Sequence, residues 1–190
     1  MRALAFLTRW PSLLPLLIAL YWLPAVQAGS ITLTAANEHI MNEMVMIDAD
    51  ADFQFSEDAV KAINSGVPIT IEFDIRVSRP RKLLWDSEVL SAHREFVIER
   101  HALSKQYIIA DQITGDRRIH GSLELAIDDL GRIRNLPIAE ARQLEGEHDL
   151  DVAMRLRLAI RSLPGPLIPV AYISPGWHMS SGWFRWPAHL

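Results

Sequence analysis

The sequence predicts a mainly β protein: an antiparallel β-sandwich, immunoglobulin-like or similar, with two short helical inserts. The first observation behind this is residues 69–77. There Ile69, Ile71, Phe73, Ile75 and Val77 alternate with Thr70, Glu72, Asp74 and Arg76, the period of two that marks a half-buried strand. The second is that residues 44–55 and 150–160 repeat the pattern. The third is that turn and cap residues separate such segments at short intervals, as in two-layer β architectures.

In chain order, Ile31-Thr32-Leu33-Thr34 opens the domain as a strand. In residues 44–55, Ile47, Ala49, Ala51, Phe53 and Phe55 face one way, and Asp48, Asp50, Asp52 and Gln54 the other. A short helix follows, with Ser56 as N-cap, Glu57 and Asp58 at the positive end of its dipole, and Gly66 closing it. Residues 81–92 read as a loop or poor helix anchored by Trp85. Residues 94–103 and 106–113 read as strands joined by a turn at Ser104-Lys105. A turn at Thr114-Gly115-Asp116 leads to a short strand over residues 117–121. Ser122 caps a second helix whose Leu123, Ala126, Ile127 and Leu130 fall at helical spacing before Gly131. Residues 133–147 are amphipathic without a clear period. Residues 150–160 form the last long strand, with Leu150, Val152, Met154, Leu156, Leu158 and Ile160 inward. A short strand is expected at residues 170–173, and residues 175–190 form an aromatic tail.

The first 28 residues stand apart. Arg2 and Arg9 precede a run, residues 10–26, that is apolar except for Ser12 and interrupted by Pro11, Pro15 and Pro24. Val26-Gln27-Ala28 then offers small residues at signal-peptidase positions, so residues 1–28 read as a signal peptide cleaved after Ala28. The address expected is the periplasm. The alternative is an inner-membrane anchor through residues 10–26, whose 17 residues are at the short limit for a spanning helix. Residues 29–190 then form one domain.

The composition excludes several classes of function. Without Arg2 and Arg9 the domain has 17 basic and 23 acidic residues, a formal charge of −6, which argues against general nucleic-acid binding. With no cysteine, disulfides, thiolate metal sites and cysteine nucleophiles are absent. Nothing matches a G-x-S-x-G elbow, a G-x-G-x-x-G turn or a Walker loop, so neither a nucleotide nor any other cofactor is expected. The histidines, His39, His93, His101, His120, His148, His178 and His189, make no H-E-x-x-H pair. Asp48-x-Asp50-x-Asp52 lacks the Gly and Glu of a calcium loop, since Phe53 and Ala59 stand at those places. These aspartates read instead as a strand face, with Arg155 and Arg157 as the expected counter-charges. The sequence therefore predicts a binding domain, not an enzyme.

Two segments are candidate interaction surfaces. Arg79, Arg81 and Lys82, with Trp85, form a basic turn in an acidic chain, suited to anionic headgroups or an acidic partner. The tail gathers Trp177, Trp183, Phe184, Arg185 and Trp186 within ten residues, a density that marks interfaces or membrane contact when exposed. The other outcome is that Trp177 and Trp183 plug one end of the sandwich.

Several motifs together point to a family. They are residues 59–68, Arg79-x-Arg81 leading to Trp85, His101-x-Leu103-Ser104 leading to Tyr107, and Ser122-Leu123-x-x-Ala126 leading to Leu130-Gly131. A further one is Leu163-Pro164-x-Pro166-Leu167, followed by Trp177-x-Met179-Ser180-Ser181-x-Trp183. Over essentially all of residues 29–190 the chain resembles the proteobacterial family of unknown function DUF4390. One departure is Leu150, where the family usually has a Tyr. The resemblance implies an exported protein of Gram-negative bacteria, often encoded near a two-component sensor kinase, and it carries over no catalytic residues. The expected partner is accordingly an envelope protein such as a sensor kinase. The alternative is a membrane-surface or lipid-binding module using the basic turn and the tail.

Overall fold

The structure, a computed structural model, describes residues 28–81 and 86–189. The expected signal peptide up to residue 27, Lys82 and Trp85 lie outside the described residues. The strands are β1 (Ser30–Met41), β2 (Met44–Gln54), β3 (Ile69–Arg79), β4 (Ser87–Arg100), β5 (Tyr107–Asp111), β6 (Arg117–His120), β7 (Arg132–Glu140), β8 (Asp151–Leu158) and β9 (Phe184–Pro187). The helices are α1 (Glu57–Asn64), α2 (Leu123–Gly131) and α3 (Ile168–Ile173).

The strands form two antiparallel sheets, one ordered β1-β2-β7 and the other β6-β5-β4-β3-β8-β9. Alternation puts Ile31, Leu33, Ile47 and Phe53 of the small sheet into the same core as Ile71, Phe73, Ile75, Met154 and Leu156 of the large one. Burying each such side chain contributes about 1.5–3 kcal/mol, and in a chain without disulfides this packing holds the two layers together. Among the described residues, no helix is long and apolar enough to cross a membrane.

Both helices read from caps are present. Ser56 Oγ accepts the Ala59 N–H at 3.3 Å and Ser122 Oγ accepts the Leu125 N–H at 3.3 Å. Gly66 follows α1 at φ +84°, a conformation that favours glycine. At the end of α2, Gly131 lies so close to β2 that a Cβ there would stand 2.3 Å from the Ala51 carbonyl oxygen.

Three segments differ from expectation. Residues 87–92 belong to β4, not to a loop or helix. The Val77↔Leu90 pair is followed by Ser78↔Glu88, leaving Val89 as a bulge that breaks the alternation. In the unclear segment, residues 132–140 form β7. Two register shifts against β2 and the left-handed Asn135 (φ 52°) hide its period. Residues 170–173, expected as a strand, are the end of α3. The turn Gly165–Leu167 winds directly into it with Pro169 in the first turn, where a missing N–H is tolerated. Its Ala171 is buried, while Val170, Tyr172 and Ile173 are exposed.

Candidate functional site

The aromatic tail is packed against the sandwich. Trp177 and Met179 are 5 % and 2 % exposed. The tail's last segment is strand β9, which pairs with β8 through Val152↔Trp186 and Met154↔Phe184. Phe184 and Trp186 pack on the core, their ring centroids 5.9 Å apart. Trp186 Nε1 donates to Glu38, a carboxylate of β1 that is 9 % exposed. Two guanidinium groups lie over the Trp183 ring, Arg76 at 4.5 Å and Arg155 at 4.6 Å from its centroid, a geometry in which cation–π attraction holds the ring. Arg185 pairs with Asp86 at 2.9 Å. In the basic turn, Arg79 pairs with Glu147 and Arg81 is exposed. The structure therefore divides the two segments: Trp177, Phe184 and Trp186 hold the fold, Trp183 and Arg185 lie with Ser78 and Asp86 beside the basic turn, and of the described basic-turn residues Arg79 is paired and Arg81 is exposed.

The outer face of the large sheet carries a charged ladder. Cross-strand register sets Glu72 opposite Arg157 and Asp74 opposite Arg155, the arrangement in which opposite charges stabilise a sheet. Arg157 Nε lies 2.6 Å from Glu72, and Arg155 Nη2 donates to Asp74 at 2.7 Å. His93 of β4 meets Asp74 at 2.9 Å through Nδ1 and Glu95 at 3.1 Å through Nε2. Its hydrogen bond to Asp74 raises the His93 pKa above the ordinary value, burial opposing and Glu95 assisting. Burial works to raise the Asp74 carboxyl, but hydrogen bonds from Arg155 and His93 and the charge of Arg157 outweigh it, so its pKa falls. The expected pairing of Arg155 and Arg157 with the β2 aspartates is thus corrected, because β3 lies beside β8 and supplies their carboxylates. Asp50 pairs instead with Arg134 of β7 at 2.6 Å, and Asp48 accepts the Asn135 N–H at 2.7 Å. Glu72, His93 and Glu95 bring ligand-type atoms within 4.8 Å of one another. Arg157 already pairs with Glu72, and Asp74 with His93, within this cluster.

The interior also holds an ion pair. Arg94 and Asp111, each 8 % exposed, meet at 2.6 Å. Asp111 also accepts the N–H groups of Ile113 and Thr114 at 2.8 and 3.1 Å. Burial pushes the Asp111 carboxyl up, but those amides and Arg94 bring it below the ordinary value. Sequence reading missed this pair, although Arg94 shares the parity of Phe96 and Ile98 in its strand. A charge on an inward position was the available signal.

The sheet edges differ in how they are protected. β6 has four residues, including Arg117 and Arg118, β9 has four and ends in Pro187, and β7 contains Pro137 and two register shifts. Short strands, charges, prolines and bulges all discourage edge pairing. β1 has 12 residues with neither proline, lysine nor arginine, and a single bulge beyond Leu33. Exposed Ala35 and Asn37 on this edge stand opposite Asp50 and Asp48 of β2, so an acidic row backs the open strand.

A family model described as a domain of unknown function (DUF4390) matches residues 28–187. No curated protein and no solved structure matches the chain.

Proposed function

The chain belongs to the DUF4390 family, and we propose that it is a non-enzymatic binding domain exported to the periplasm, where it receives an extended segment of an envelope protein along the edge of β1. The observation that carries this reading is the contrast between edges: β1 is long and carries one bulge and one inward carboxylate, Glu38, where β6, β7 and β9 are short, charged or broken. An added strand gains main-chain hydrogen bonds along such an edge, and side-chain contacts set its specificity. Of the carboxylates behind β1, Asp50 is taken by Arg134 while Asp48 and Asp52 have no arginine or lysine partner, which favours a segment that is basic or uncharged. This also disfavours a second copy of this acidic chain. The extracytoplasmic part of a sensor kinase is the partner class that the family resemblance implies.

The membrane-surface reading has less to stand on, since Trp177, Phe184 and Trp186 are engaged in the fold. The test is crosslinking in cells, followed by recovery of the protein with an affinity tag. An envelope protein recovered with the wild-type chain and lost with Ala35→Lys and Asn37→Lys supports the proposal. Both sites are exposed, so the variants should fold normally. Equal recovery with both variants, or recovery of the chain alone, overturns it.

A further inference from the structure

Glu72, His93 and Glu95 meet on the outer face of the large sheet, and among the described residues no other three histidine or carboxylate side chains bring ligand atoms within 4.8 Å of one another. Strand register makes the group. His93 and Glu95 are two apart on β4, so both project from one face, and Glu72 of β3 is the direct cross-strand partner of Glu95. Two like charges directly opposite each other destabilise a sheet, and a cation held between them removes that penalty. From this arrangement we infer that Glu72, His93 and Glu95 bind a zinc ion, joining β3 to β4.

The partners already present leave the position open. Arg157 meets Glu72 through Oε2, which leaves Oε1 to an ion. Glu95 has no arginine or lysine partner among the described residues, its charged neighbour being His93. Across the ladder the three carboxylates Glu72, Asp74 and Glu95 face two guanidinium groups, Arg155 and Arg157, so one negative charge is left over when His93 is neutral. Asp74 orients the histidine. Its Oδ1 lies 2.9 Å from His93 Nδ1, while its Oδ2 accepts from Arg155 at 2.7 Å. A carboxylate that takes the proton of one ring nitrogen in this way turns the other toward a metal. The other, Nε2, lies 3.1 Å from Glu95 Oε1. Ligands held 2.0–2.2 Å from a tetrahedral zinc stand about 3.3 Å apart, so these two atoms already have the spacing of neighbouring ligands. The Glu72 carboxylate closes the set by a shift of about 1.5 Å or less. One imidazole and two carboxylates, with a fourth position left to water, suit zinc. Calcium takes about six to eight oxygens, more than the group offers. His93 is exposed and Glu95 half-buried, so an ion reaches them from solvent.

This inference is independent of the β1 edge, to which none of these residues belongs. The test is calorimetric titration of the chelator-treated protein with zinc chloride, with calcium and magnesium chloride as comparisons. One zinc ion per chain is expected, bound more tightly than either comparison ion. Losing only the hydrogen-bond partner of a metal-bound histidine costs about 10–100-fold in affinity, so His93→Gln and Glu95→Gln, which remove ligands, should each weaken zinc by about 100-fold or more. Glu57→Gln, at an exposed carboxylate of α1, should leave the affinity unchanged. Melting curves without zinc check that the variants fold. A second measurement needs no variant: in NMR spectra of the wild-type protein, zinc should shift the ring signals of His93 ahead of those of the other histidines. No saturable zinc binding, affinity untouched by His93→Gln or Glu95→Gln, calcium or magnesium binding as tightly as zinc, or shifts centred on another histidine overturns the inference.

Discussion

Trp177→Ala tests whether the aromatic tail is part of the fold. Trp177 is 5 % exposed in the turn Pro175–Trp177, and its backbone N–H donates to Ser174 at 3.2 Å. Two residues on, Met179 is 2 % exposed and its carbonyl accepts the Leu158 N–H at 3.0 Å, tying the tail to the end of β8. Removing a buried tryptophan from such a site costs about 3–5 kcal/mol. In a domain of this size each kcal/mol lowers Tm by about 2–4 °C, so a fall of about 6–20 °C is expected. Arg185→Ala is the internal comparison. Its ion pair with Asp86 is exposed on both sides, so its loss should cost at most about 1 kcal/mol. Thermal melts followed by circular dichroism, with urea unfolding alongside, measure both variants. A Trp177→Ala protein that melts with the wild type would refute the packing argument and return the tail to the list of free binding surfaces.

Other expectations follow from single contacts. Gly131→Ala must push α2 away from the Ala51 carbonyl and should cost about 1–3 kcal/mol, whereas Gly121→Ala, with no atom within 4 Å of the new Cβ, should leave the urea midpoint nearly unchanged. Asp111→Asn leaves Arg94 buried without its counter-charge, and urea unfolding should show a loss of about 3–5 kcal/mol. The pH dependence has two arms. Asp74 and Asp111 have lowered folded pKa values, so their contribution is present above the ordinary 3.8 and is lost as pH falls through the folded values. His93 has a raised folded pKa, so its contribution is complete below 6.5 and is lost as pH rises through the folded value. Melting curves of His93→Gln should lose that second arm and keep the first.

How much of this was legible in the sequence depends on local regularity. β3, and β2 and β8 over most of their length, alternate and were readable from their period, as were α1 and α2 from Ser56 and Ser122. β4 and β7 were obscured by bulges at Val89 and around Asn135, because one extra residue reverses the parity on which the reading relies. α3 was misread because Ile168, Val170 and Ile173 have strand propensity, and only the preceding turn at Gly165–Leu167 winds the chain into a helix. The contacts of the candidate surfaces were hidden for a different reason. Aromatic and basic residues could be counted, but their partners Glu38, Asp86 and Glu147 lie 148, 99 and 68 positions from Trp186, Arg185 and Arg79. The Arg94–Asp111 pair and the openness of β1 are likewise products of strand order, which no local pattern encodes.

The most direct test of the proposed function is photo-crosslinking in living cells, with a photoreactive residue placed in turn at Ala35, at Asn37 and, as the guarded-edge control, at Arg117. The account predicts that Ala35 and Asn37 crosslink to one envelope protein, within a single extended segment of it, and that Arg117 does not. Crosslinks to that protein from Arg117 with equal yield, or from neither β1 position, would contradict the claim that β1 is the docking edge.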